Sequence, residues 1–143
     1  MDIALEQAKL AADRGEVPVG AVLVAEGGTI LAQDGNRTRA DNDPTAHAEI
    51  NVIRKACATL KQERLLGCDL YVTLEPCAMC ATAIAHARIA RVYYGASDPK
   101  SGGVECGARV FEHPQSHHKP EVYAGIAQQE AETLLKAFFE GLR

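Results

Sequence analysis

Apolar positions along the chain change between helical and strand-like spacing, with Gly, Pro and polar clusters between the runs. Ile3, Leu5, Ala8, Leu10 and Ala12 lie in a segment without Gly or Pro that stops before Gly15, which predicts a short amphipathic helix. Residues 17–25 and 29–33 are β-prone and are split by Gly27 and Gly28, so they read as a hairpin followed by a polar loop over 34–43. Asp43 is placed to cap the next helix and Pro44 suits its first turn. Residues 46–60 then read as helical, with Ile50, Ile53 and Cys57 on one face and His47 and Glu49 at the entrance. Residues 70–74 form a buried-type strand, after which Pro76 opens another helix reaching about residue 88. That puts Cys77 and Cys80 at a helix entrance too. Residues 91–95 read as a core strand, 97–107 as a Gly-containing loop, 121–123 as a short strand and 127–142 as a closing helix. Strands alternating with helices predict a layered α/β domain, and the opening hairpin makes its sheet mixed.

Size and composition narrow the class. At 143 residues, 15.3 kDa and 47% hydrophobic content, the chain is expected to form one compact domain over 1–143 with an ordinary core. Asp2, Glu6, Lys9, Asp13 and Arg14 interrupt the first segment, so it is not a secretory signal. No run approaches the roughly 20 apolar residues of a membrane span. A soluble, cytoplasmic protein without a membrane partner is the expectation. The five cysteines form an odd set in a chain that needs no disulfide staples, which favours metal binding or burial. A formal charge of −4 and a pI near 5.7 supply no global attraction to phosphate, so any nucleic-acid contact has to be local.

The chemistry concentrates in His47-Ala48-Glu49 and Pro76-Cys77-Ala78-Met79-Cys80. Residues three apart on a helix share a face, so Cys77 and Cys80 can direct both sulfurs at one ion, and a helix N-terminus eases their ionisation. Two thiolates and an imidazole suit zinc. His47 and Glu49 are two apart and cannot approach an ion in the same way, so one can ligate while the other does not. Three protein ligands would leave a fourth position for water, as in catalytic sites. Taken alone, the C-x-x-C also fits a structural zinc site closed by Glu49, Cys57, Cys68 or Cys106, in a non-catalytic binding module. The combined H-x-E and P-C-x-x-C pattern is itself the known signature of zinc deaminases, with the Glu outside the ligand set.

Beyond that signature, the chain resembles the bacterial tRNA-specific adenosine deaminases of the cytidine-deaminase-like superfamily over nearly its whole length. The segments that carry the likeness are Glu16-Val17-Pro18-Val19-Gly20-Ala21-Val22-Leu23-Val24, Gly35-Asn36-Arg37, Asp43-Pro44-Thr45-Ala46-His47-Ala48-Glu49-Ile50, Tyr71-Val72-Thr73-Leu74-Glu75-Pro76-Cys77-Ala78-Met79-Cys80, Tyr94-Gly95-Ala96 and Asp98-Pro99-Lys100. The resemblance implies a three-layer α/β/α fold around a mixed five-stranded sheet. It implies one zinc ion per subunit on His47, Cys77 and Cys80, with Glu49 moving protons as water displaces an amine. Asn36 would line the base pocket, with backbone contacts from Val19, Ala21, Glu75 and Pro76. Asp98, Lys100 and Ser101 would meet the RNA. The implied substrate is the wobble adenosine (position 34) of a tRNA anticodon stem-loop, where the base can leave its stack, and the implied assembly is a homodimer. The zinc motif alone is shared with deaminases of free bases and nucleosides such as guanine, cytosine and cytidine, which stands as the alternative. Lys100, Arg37 and Arg39 also fit plain solvated charges. His113, His117 and His118 are assigned no metal, and Phe138 and Phe139 are read as packing.

Overall fold

The computed structural model describes residues 1–142. Its elements are α1 (Asp2–Asp13), β1 (Gly20–Val24), β2 (Ile30–Gly35), α2 (Ala48–Leu60), β3 (Asp69–Leu74), α3 (Ala78–Ala87), β4 (Arg91–Ala96), a 3-10 turn (Val110–Glu112), β5 (Glu121–Tyr123) and α4 (Gln128–Gly141). The strands lie in the order β2-β1-β3-β4-β5. β1 runs antiparallel to β2 and β3, and β3, β4 and β5 are mutually parallel. This is the expected mixed five-stranded sheet. Among the described residues no helix is long and apolar enough to cross a membrane.

Leu23, Leu70 and Val92 stand side by side across β1, β3 and β4 and bury against Val52 and Ala56 of α2 and Ala81 and Ile84 of α3. Each enclosed aliphatic side chain of this kind contributes about 1.5–3 kcal/mol of transfer free energy. The opposite sheet face carries α1 and α4, completing three layers. On that face Tyr71, Tyr93 and Tyr123 stack in register across β3, β4 and β5, with ring centroids 4.5 and 4.9 Å apart.

Several boundaries and faces differ from the expectation, each for a local reason. The residues that α1 buries are Ala4, Ala8 and Ala11, while Ile3 and Leu10 are exposed. The helix lies directly on the sheet at two glycines: a Cβ on Gly20 would meet the Ala4 carbonyl oxygen at 2.0 Å, and one on Gly35 that of Gln7 at 2.7 Å. Only methyl side chains fit at such an approach. β1 starts at Gly20 rather than at 17, because Val17 and Val19 close a tight turn around Pro18, which has no N–H to donate (Val19 N to Val17 O, 2.8 Å). β2 extends through Asp34 and Gly35, beyond the predicted end at 33. The buried Asp34 carboxylate is paired with Arg37 and Lys55 at 2.8 and 2.9 Å.

α2 begins two residues later than expected, at Ala48. Asp43 does not cap it but closes a turn of its own, accepting from the N–H and hydroxyl of Thr45 at 2.8 and 2.7 Å. The buried face of α2 is Ile50, Val52 and Ala56, whereas Ile53 and Cys57 are half-buried. α3 also starts late, at Ala78, so Pro76 precedes the helix and Cys77 occupies the N-cap. All the polar turns that matter chemically collect at one end of the sheet. The carboxyl ends of β2, β3 and β4 and the start of β1 meet there, the usual place for a site in an open α/β sheet.

Candidate active site

His47 is the N-cap of α2, Cys77 the N-cap of α3, and Cys80 lies one turn into α3. Both cap residues have extended backbone (ψ 155° and 174°), which turns their side chains across the helix entrances instead of along the helix flanks. The two entrances thus face each other. The sulfurs of Cys77 and Cys80 stand 3.6 and 3.5 Å from His47 Nδ1, and all three ligand atoms lie within 4.8 Å of one another. Zn–S bonds of about 2.3 Å and a Zn–N bond of about 2.0–2.1 Å at a tetrahedral angle require S···N separations of about 3.5–3.6 Å. The donor set and its spacing therefore fit zinc.

Cys57, Cys68 and Cys106, the other thiols weighed for a closed structural site, lie outside the group among the described residues. Their thiols contact Glu63 O, Leu66 O and the Ser97 hydroxyl instead. Within the group, the Cys80 thiol and then the His47 ring hydrogen-bond to the Cys77 sulfur and, against burial, bring its pKa down to about 4. The adjacent Cys77 sulfur and burial push Cys80 far up, and the bond to Cys77 raises His47. One thiolate forms readily; the second proton is released when a cation takes its place.

Glu49, in the first turn of α2, is 3% exposed and lies against the Cys80 thiol. Burial pushes its carboxyl up to about 7, the range in which a group both accepts and returns a proton at neutral pH.

The other residues singled out from the sequence gather around this centre in different ways. Asn36 follows β2 directly and is bound on three sides: its N–H donates to Val19 O (3.1 Å), its carbonyl accepts from Arg14 (3.0 Å), and its Oδ1 accepts from Ala48 N (2.9 Å) at the mouth of α2. Among the described residues its Nδ2 has no protein partner. Ala21 is fully buried within β1 between β2 and β3, and the Val19 backbone is occupied by Asn36 and Val17. The Pro76 carbonyl accepts from Gly103 N at 2.8 Å. Glu75 is buried, and its side chain is directed to loop 97–106. Asp98 Oδ1 accepts from Lys100 N and Ser101 N (3.2 and 3.0 Å), so this side chain shapes the turn on which Lys100 and Ser101 are exposed.

Away from the centre, His118 Nε2 contacts Ile89 O at 2.7 Å, and Phe138 and Phe139 meet edge to face at 5.3 Å.

The residue that sequence reasoning missed is Glu16. It is 1% exposed, and its carboxylate accepts from Arg39 N, Ala40 N and the Thr38 hydroxyl, pinning the loop that follows Asn36. Its only sequence signal was membership of the Glu16-Val17-Pro18-Val19 segment, which says nothing of a partner more than 20 residues away.

Residues 1–96 match the cytidine and deoxycytidylate deaminase zinc-binding region. The chain is 59% identical over its full length to a tRNA-specific adenosine deaminase of Agrobacterium fabrum, covering 93% of that protein. It is 47% identical to the protein of the same description from Rickettsia bellii, covering 98% of this chain and 97% of that one. A solved structure from studies of A-to-I editing by tRNA:A34 deaminases at the wobble position superposes with a TM-score of 0.93 at 60% identity, covering 94% of this chain and 97% of the other. With the His-Cys-Cys group, the buried Glu49 and this whole-length likeness together, the chain belongs to the tRNA-specific adenosine deaminases and carries the zinc-binding region of the cytidine and deoxycytidylate deaminases.

Proposed function

We propose that this chain hydrolyses the wobble adenosine (position 34) of a tRNA anticodon loop to inosine, as a homodimer in the cytoplasm with one zinc ion per subunit. The observation that carries the reading is the His47-Cys77-Cys80 group with Glu49 buried beside it, on a chain like wobble-position tRNA deaminases over 94% of its length. His47, Cys77 and Cys80 hold the metal. Zinc, when bound, supplies a Lewis acid that makes water acidic enough to give up a proton near neutral pH.

Glu49 takes that proton and delivers it to N1 of the base as the water oxygen bonds to C6. It then takes the remaining hydroxyl proton and passes it to the exocyclic amine. The C6–N bond breaks, ammonia departs, and a C6 carbonyl remains, so that one water and one adenosine become one ammonia and one inosine. Asn36 presents its free Nδ2 donor to the purine edge, because its Oδ1 is engaged by Ala48 N. Lys100 and Ser101, exposed on the Asp98 turn, meet the RNA backbone. Base extrusion from a single-stranded loop is favoured because the reacting carbon is inaccessible inside a duplex.

The reading is tested by incubating zinc-loaded protein with an anticodon stem-loop bearing a wobble adenosine and following inosine by mass. The parent is expected to convert it, while Cys80→Ala loses metal and activity together. A zinc-loaded parent that leaves the stem-loop unchanged but deaminates guanine, cytosine or cytidine would replace the RNA reading with a free-base or nucleoside one.

A further inference from the structure

Glu75 precedes the metal-ligating turn by two residues, and its carboxylate points away from that turn into loop 97–106. Oε1 accepts from the Ser97 hydroxyl and Asp98 N (3.3 and 3.0 Å), and Oε2 from Val104 N, Glu105 N and Cys106 N (3.2, 2.9 and 2.9 Å). The group is 2% exposed, and the partners around it are donors from one loop, a backbone nest for an anion. Such a set needs a carboxylate, since an amide of the same shape would set its NH2 against one group of N–H donors.

The loop is also clamped to the turn itself. Gly103 N donates to Pro76 O at 2.8 Å, and Gly102 pairs with Cys77 as an isolated bridge. A Cβ on Gly102 would meet the Glu75 carboxyl at 2.6 Å, and one on Gly103 would meet Ala78 N at 2.5 Å. The loop therefore sits in contact with the first turn of α3 and with the carboxylate. Lys100 and Ser101 are exposed on this same loop.

We infer that Glu75 is a positioning residue for RNA: it sets the distance between the Cys77 turn, where the reaction occurs, and the loop that presents Lys100 and Ser101 to the substrate. The inference rests on the proposed function. Glu75 touches neither the metal group nor the base in this role; it fixes one relative to the other. A second tether, Tyr94 OH to Glu105 at 2.8 Å, keeps the loop attached when the carboxylate is altered.

Glu75→Gln is expected to keep one zinc per chain and raise KM for the anticodon stem-loop roughly tenfold with kcat changed by less than about threefold, because a few buried hydrogen bonds to the loop are lost and the chemistry is untouched. Amide exchange at Asp98, Val104, Glu105 and Cys106 should accelerate while β1 and β3 stay protected. Gly102→Ala, which displaces the loop from the other side of the same contact, should reproduce the KM effect. Val92→Ala, a core truncation in β4, serves as the control for lost stability and should leave KM unchanged. KM values in Glu75→Gln and Gly102→Ala that move no more than in Val92→Ala would overturn the inference, as would loss of zinc from Glu75→Gln. A parent that leaves the stem-loop unconverted would instead overturn the proposed function and this inference with it.

Discussion

Glu16 and Glu49 are both carboxylates removed from water, at 1% and 3% exposure, and they behave in opposite ways. Burial raises both. At Glu16 two backbone N–H groups and a hydroxyl outweigh it and leave the carboxyl below its ordinary 4.5, so the group stays ionised and acts as a post for the loop behind Asn36. At Glu49 few donors face the oxygens, burial wins, and the value rises to about 7. Enclosure alone does not make a proton carrier. Depth of burial and the supply of N–H donors together decide whether an enclosed carboxylate is a structural anchor or a base.

The largest effect that would break this contrast is at Glu49. Glu49→Gln should lower the rate of inosine formation by about 10²–10⁴-fold, the usual contribution of a general acid–base, while zinc content is kept and the melting temperature at neutral pH does not fall. Loss of zinc in that variant would make Glu49 a ligand and end the comparison. Glu16→Gln should do the converse. It leaves buried backbone N–H groups facing an amide, so unfolding free energy should fall by about 1–3 kcal/mol in denaturant titration while zinc is retained.

Acid sharpens the same contrast. A carboxyl with a lowered folded value stabilises fully above its unfolded value, and Glu16 therefore supports the fold above about pH 4.5 and ceases to as pH falls through its lower folded value. Glu49, raised to about 7, works with the opposite sign, and its ionisation costs stability as pH rises from 4.5 toward 7. Melting temperatures of parent and Glu16→Gln should converge as pH falls through the lowered folded value of Glu16; a constant gap would mean that Glu16 is not held as a carboxylate. The smallest effect is expected at Thr38→Val, which removes the long 3.3 Å hydroxyl bond and leaves the backbone donors. About 0.5–1.5 kcal/mol or less should be lost in the same titration.

What could be read in advance follows sequence distance. His47 with Glu49 and Cys77 with Cys80 are local patterns on two helix entrances, so their chemistry was visible, although both helices begin two residues later than the sequence predicts, at Ala48 and Ala78. That delay makes His47 and Cys77 caps and sends their side chains across to each other. The face that α1 buries does not follow hydropathy, which ranks Ile3 and Leu10 above Ala4, Ala8 and Ala11, because close contact with Gly20 and Gly35 selects by size. The roles of Glu16 and Glu75 were not legible, since their partners lie 22 to 31 residues away in loops without periodicity.

The layered α/β order, the hairpin that makes the sheet mixed, the ligand types and the family are all written along the chain, because periodicity, glycine breaks and short motifs act over a few residues. That two helix entrances meet at zinc-like spacing, and which buried carboxylate is satisfied and which is left as a base, emerges only once the chain is folded. Those outcomes depend on donors brought together from distant segments, and no local pattern encodes how many of them arrive.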